Sequence, residues 1–281
     1  MKRQTIGGLL VIGLVAAGLV VPLPVPVPAP GHGHGYSLGY AHAQPKPTEK
    51  KAPPPPQIVF SDPLAVTPGT TTKLKLRGLQ LDTITQLSVG EPRTSGRIVG
   101  KPGQVAVPNN LPVHLYGNSH IEVELTLPAD VAGATLPITV TGPGGTSKVH
   151  RLIINDDTPR VSKKGRIAGF AQAMPLLTIP VVVEGRIEEN GLVDVYSFKA
   201  RAGERFVFEV QAARFGVPLD SLLTVYDEQI RQLAHNDDFA DSADSQIRFT
   251  APGDGTYYLV VADAHDLGGP THLYRLLVRR E

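Results

Sequence analysis

Short runs in which apolar and polar residues alternate, each closed by glycine or proline, constrain this chain more than any other feature. Thr72-Lys73-Leu74-Lys75-Leu76, Ile121-Glu122-Val123-Glu124-Leu125-Thr126-Leu127, Arg205-Phe206-Val207-Phe208-Glu209-Val210 and Gln246-Ile247-Arg248-Phe249-Thr250 all alternate. That period of two puts successive side chains on opposite faces of a half-buried strand. Thr67-Pro68-Gly69, Lys101-Pro102-Gly103, Gly142-Pro143-Gly144-Gly145 and Ala251-Pro252-Gly253-Asp254-Gly255 supply turn chemistry between such runs. No segment sustains the ~3.6-residue apolar repeat of a helix. With 29 Gly, 26 Pro and 2 Met in 281 residues, an all-β fold of short antiparallel strands in two β-sandwiches is expected.

The first of these begins after a long N-terminal preamble. Lys2 and Arg3 precede an apolar stretch, residues 6–21, and from Pro22 to Pro30 every second residue is proline. Sixteen apolar residues fall short of the ~20 that span a bilayer comfortably. Residues 1–43 are therefore expected to be a signal peptide, cut after Ala41-His42-Ala43, with no stable membrane span left afterwards. An uncleaved N-terminal anchor is the alternative. Gly31-His32-Gly33-His34-Gly35 reads as a solvated low-complexity tract that leaves with the signal. Residues 44–57 are rich in Pro and Lys and are expected to be an extended spacer.

The two sandwiches are expected at residues 58–155 and 179–281, with residues 156–178, broken by Lys163-Lys164-Gly165-Arg166, as an inter-domain linker. Lys+Arg of 27 against Asp+Glu of 26 gives no reason to expect nucleic acid as a partner. The chain has no cysteine, so disulfides, zinc–thiolate sites and cysteine nucleophiles are excluded. It also has no His-Glu-x-x-His, no Gly-x-Ser-x-Gly and no phosphate-binding glycine loop, and two single-sandwich segments leave no third segment to house an active site. A non-enzyme is expected.

Two resemblances sharpen this. Val66-Thr67-Pro68-Gly69, Leu74-Lys75-Leu76-Arg77-Gly78, Val89-Gly90, Leu127-Pro128 and the Val140 to Gly145 strand and turn resemble an IPT/TIG-type immunoglobulin-like domain, which acts as a spacer or interaction module. The second segment resembles the bacterial pre-peptidase C-terminal domain in seven blocks in the family's order. They are Gly185-Arg186-Ile187, Val193 to Phe198, Ala202-Gly203-Glu204, Leu219 to Asp227, Leu233 to Asp238, Asp244 to Ile247 and Gly255 to Val261. That resemblance implies a jelly-roll-like sandwich, often appended to secreted proteases without being the protease. Related modules in collagenases bind collagen and calcium, and others bind carbohydrate.

The acidic cluster is the feature most expected to carry function. Asp220 precedes a strand, and Asn236, Asp237, Asp238, Asp241 and Asp244 lie within nine residues of loop. Calcium takes six to eight oxygen ligands, several of which such a loop can offer. The competing reading is a solvated acidic loop whose Asn236 and Asp237 stabilise turns. Calcium-binding members of the family carry acids ahead of the first strand, and the matching stretch here, Arg166 to Ala173, has none. Asp194 is expected to hold a loop at a strand edge. Asp263, His265, Asp266 and His272 read as a solvated loop rather than a metal or catalytic set. Tyr196, Tyr226, Tyr257, Tyr258 and Tyr274 are expected to be mostly core, with a binding face as a secondary role.

The expected protein is thus secreted, periplasmic or at the cell surface. It is a non-catalytic accessory or binding module for an extracellular or envelope polymer or protein, with calcium as the candidate cofactor. The alternative is a structural scaffold component with no specific ligand.

Overall fold

The computed structural model describes residues 51–108, 110–167 and 169–281. The expected leader, its Ala41-His42-Ala43 cleavage motif and residues 44–50 of the Pro/Lys-rich spacer lie outside the described residues. Among those described, strand dominates. Helix is confined to single turns at Leu81–Thr83, Val113–Tyr116, Phe170–Gln172 and Ala213–Phe215. No helix among them is long and apolar enough to cross a membrane.

The first sandwich contains β1 (Gln57–Asp62), β2 (Ala65–Val66), β3 (Thr71–Leu79), β4 (Gln86–Val89), β5 (Ser95–Gln104), β6 (Ser119–Thr126), β7 (Thr135–Gly142), β8 (Gly145–Thr146) and β9 (His150–Ile154). One sheet runs β1-β3-β6-β5. The other runs β2-β9-β7-β4, with β8 paired to β7. The alternation does what a half-buried strand requires. Leu74 and Leu76 of β3, and Ile121, Val123 and Leu125 of β6, are buried against Leu136, Ile138 and Val140 of the other sheet. On the outer face the register sets Lys73 opposite Glu124 and Lys75 opposite Glu122, at 3.4 and 3.8 Å.

The second sandwich contains β10 (Arg160–Ser162), β11 (Met174–Pro175), β12 (Val181–Arg186), β13 (Asp194–Ala200), β14 (Arg205–Gln211), β15 (Ser221–Tyr226), β16 (Gln232–Asn236), β17 (Gln246–Thr250), β18 (Gly255–Asp263) and β19 (Leu273–Arg280). Its sheets run β10-β12-β19-β14-β17 and β11-β13-β18-β15-β16. Phe198 of β13 sits at the centre of an aromatic core, with ring centroids 5.2 Å from both Phe206 and Phe208 and 5.7 Å from Tyr257. Residues 156–178, read from the sequence as a linker, contribute β10 and β11, each pairing in parallel with a strand of this sandwich. Both join their sheets through backbone ladders, and Met174 of β11 also packs against the core. Arg160, Val161 and Ser162 are all exposed, so no alternation marks them.

The two sandwiches are one compact unit. A single core cluster takes Val59, Phe60, Leu64, Ala65 and Ile153 from the first and continues into the aromatic centre of the second. A register shift between Ile58 and Phe60 makes this possible, because Ile58 enters the first core while Val59 and Phe60 enter the second. Gly216 closes the junction. Its φ is +85°, and a Cβ there would fall 1.8 Å from the Val59 carbonyl oxygen.

Candidate functional site

Two places in the second sandwich bring polar groups together: the loop end around Asp220, and the junction with the first sandwich. At the loop end, Asp263 organises the backbone. Its Oδ1 accepts from the amides of His265 (2.9 Å) and Leu267 (3.0 Å), and its Oδ2 accepts from the Asp220 amide (3.1 Å). The Asp220 carboxylate lies 3.3 Å from His265 Nδ1. Partial burial raises the Asp220 carboxyl above its ordinary pKa. His265 opposes that shift, and the charges of Asp238, Asp263 and Asp237 add to it. Asp220, Asp237 and Asp238 therefore sit within electrostatic reach of one another.

The remaining members of the sequence cluster go elsewhere. Asn236 Oδ1 accepts from the Gln246 amide at 2.9 Å, tying the end of β16 to β17. Asp241 is exposed in the turn after Phe239, with φ of 61°. Asp244 is buried and points into the fold. It accepts from the amides of Ala212 (2.9 Å), Ala213 (2.6 Å) and Arg214 (3.3 Å), and from Arg214 Nε (2.5 Å). This satisfies the unpaired amides at the start of the Ala213–Phe215 turn, which is the work of a capping carboxylate. Among the described residues no three His, Asp or Glu side chains gather as a metal site requires. Asn236 and Asp244 thus direct side-chain oxygens to backbone amides, while Asp220, Asp237 and Asp238 remain the acidic groups close to one another.

The aromatic residues are also committed. Tyr196, Tyr257 and Tyr274 are buried. Tyr226 and Tyr258 face outward but are covered edge-on by Phe170, at 5.3 and 5.2 Å.

The junction carries residues to which the sequence assigns no role there, and the solvated-loop reading fails for Asp263 and His272, which are buried. Arg275 of β19 is 5% exposed, donating from Nη1 to Gln211 Oε1 (3.0 Å) and from Nη2 to Asn155 Oδ1 (2.7 Å) of the first sandwich. Burial lowers its pKa from the usual guanidinium value. Arg186 reaches across to Asp62 at 2.7 Å, and Tyr116 lies 6.1 Å, ring to ring, from the buried His272. Burial holds the His272 imidazole below its ordinary pKa, with Asp263 opposing, which favours the neutral ring. Beside Arg275 a cleft of about 610 Å³ opens between the sandwiches, lined among others by Asn155, Asp156, Gln211, Phe215 and Arg279. An interface cleft with apolar walls and a few fixed polar groups has the form of a small-ligand site. A lone Arg in a β-strand gives no sequence signal of this role, since an exposed arginine would look the same.

Comparison with known proteins places the second sandwich. Residues 192–263 match the bacterial pre-peptidase C-terminal domain family. A probable subtilase-type serine protease of Deinococcus radiodurans is 42% identical over 76 residues, which are 27% of this chain and 10% of that protein. This chain thus spans a tenth of the length of that curated relative. Among solved structures, the pre-peptidase C-terminal domain of a collagenase from Bacillus anthracis is 14% identical, covers 44% of this chain and 97% of its own, and has a TM-score of 0.28. The secreted serine protease VesC from Vibrio cholerae is 10% identical, covers 77% of this chain and 48% of its own, also with a TM-score of 0.28. The match to the bacterial pre-peptidase C-terminal domain family thus covers residues 192–263, which run from just before β13 to the end of β18 in the second sandwich.

Proposed function

We propose that this chain is an exported, non-catalytic binding protein that holds part of an extracellular polymer or protein in the cleft between its two sandwiches. The observation that carries this reading is the continuous core through the junction. It fixes the cleft walls before any ligand arrives, so little ordering cost is left for binding. Arg275, Asn155 and Gln211 are locked to one another on the cleft floor and present fixed polar groups beside the apolar walls. Export rests on Lys2, Arg3, the apolar run and Ala41-His42-Ala43, and the first sandwich is taken as immunoglobulin-like. Calcium has no part in this proposal.

The test is co-sedimentation of the purified protein with insoluble polysaccharide, collagen-like and cell-envelope material. Retention on one of them is expected, and Arg279→Glu, which reverses an exposed charge on the cleft wall, is expected to weaken it about tenfold, or ~1.4 kcal/mol. Retention on none would favour the scaffold reading. Retention unaffected by Arg279→Glu would move the binding surface away from the cleft.

A further inference from the structure

The chain lacks cysteine, so any covalent brace within it must come from other chemistry. One buried cluster supplies that chemistry. The Lys163 side chain is 1% exposed and the Asp194 side chain 3%. Lys163 Nζ lies 2.7 Å from Asp194 Oδ1 and 3.0 Å from Oδ2, and also donates to the Arg186 carbonyl at 2.5 Å. Tyr274 OH donates to Asp194 Oδ2 at 2.5 Å, and Tyr196 OH shares a 2.5 Å hydrogen bond with Tyr274 OH. A second carboxylate, Glu188, reaches to 3.9 Å from Nζ. Tyr196 and Tyr274 are both buried around the group. An amine, a carboxyl, a donor to one carboxyl oxygen and a second carboxylate on the amine are the parts of an amide-forming site.

We propose that Lys163 and Asp194 condense to an intramolecular isopeptide bond, with Glu188 as the proton-transfer group. The chemistry balances without an added reagent. One proton moves from the ammonium to the Asp194 carboxylate, directly or through Glu188, leaving an amine beside a carboxylic acid. The Nζ lone pair forms a bond to Cγ. Tyr274 polarises Oδ2, which becomes the amide carbonyl oxygen. The bond from Cγ to Oδ1 breaks, and Oδ1 leaves as water with its own proton and one proton from the amine.

Three features favour this over a plain buried ion pair. Burial raises the Asp194 carboxyl, against the opposing pull of Lys163 and Tyr274, and so favours the neutral acid that an amine can attack. The reactants are already in contact, and groups so held reach effective concentrations of roughly 10⁵–10⁸ M, which draws an otherwise unfavourable condensation forward. A cavity of about 270 Å³, lined by Lys163, Glu188 and Tyr274, adjoins the pair and receives the water. The bond would tie the chain just beyond β10 to the first residue of β13, bracing the junction that β10 borders.

Mass spectrometry of the purified protein tests this. The intact mass is expected about 18 Da below that calculated from the observed N-terminus, the loss of one water. Tryptic digestion is expected to give residues 161–164 joined through Lys163 to Asp194 in residues 187–199. An intact mass at the calculated value, or a water loss that maps to any other residues, would overturn the proposal. Glu188→Gln keeps the Lys163–Asp194 contact and is expected to yield folded protein with the linked fraction reduced at least tenfold. Full linkage in that variant would remove Glu188 from the reaction.

Discussion

Replacing Phe198 by alanine is expected to lower the melting temperature of the whole chain by about 10 °C. Phe198 is 2% exposed and makes ring contacts with Phe206, Phe208, Phe249 and Tyr257. Truncating a buried phenylalanine removes its transfer free energy and leaves a cavity, at a cost of about 3–5 kcal/mol. In a chain of this size each kcal/mol is worth about 2–4 °C. Neither sheet can close over the gap, because both are pinned by ladders on either side of the ring. The informative part is which residues lose protection. Phe198 belongs to the same core cluster as Val59, Phe60 and Ile153, so the first sandwich should melt with the second. Thermal denaturation followed together with amide exchange at β1 and β9 checks this. A melting point lowered only for the second sandwich would mean that the shared core does not couple them.

The second large effect concerns Asp244. Asp244→Ala is expected to cost on the order of 3 kcal/mol, because it strips a buried carboxylate from three backbone amides and leaves the Arg214 guanidinium without its closest partner. The melting temperature should fall by about 6–12 °C. The same fall is expected in chelator and in millimolar calcium, since the lost contacts are all with the protein itself. A fall seen only with calcium present would make Asp244 a cation ligand, as the acidic spacing from Asn236 to Asp244 suggests on its own.

The role of Asp244 is not legible in the sequence. Acidic residues close in sequence can be counted, but whether a carboxylate turns to solvent or to a backbone turn depends on a partner 30 residues away, here Arg214. The alternating strands were legible because one face of each is buried: β3, β6, β14 and β17 all appear where the period of two places them. The family blocks of the second sandwich were legible for the same reason, with turn residues at fixed offsets. β10 and β11 were not, since strands of three and two residues are too short to show an alternating pattern. Nor was the role of Lys163. It stands in a Lys-Lys-Gly-Arg run that reads as a break in the strand pattern within a linker, yet its side chain is buried against Asp194. Asp194 itself was read as a carboxylate holding a loop, and the loop it holds is the one that carries Lys163. The junction escaped notice because Val59 and Phe60 look like ordinary strand residues. Only the register shift in β1 sends them to a second core.

A fixed cleft requires the two sandwiches to be one cooperative unit. Differential scanning calorimetry of the purified protein tests this most directly. A single transition is predicted, with the calorimetric enthalpy equal to the van't Hoff enthalpy. Two separable transitions, one for each sandwich, would contradict it.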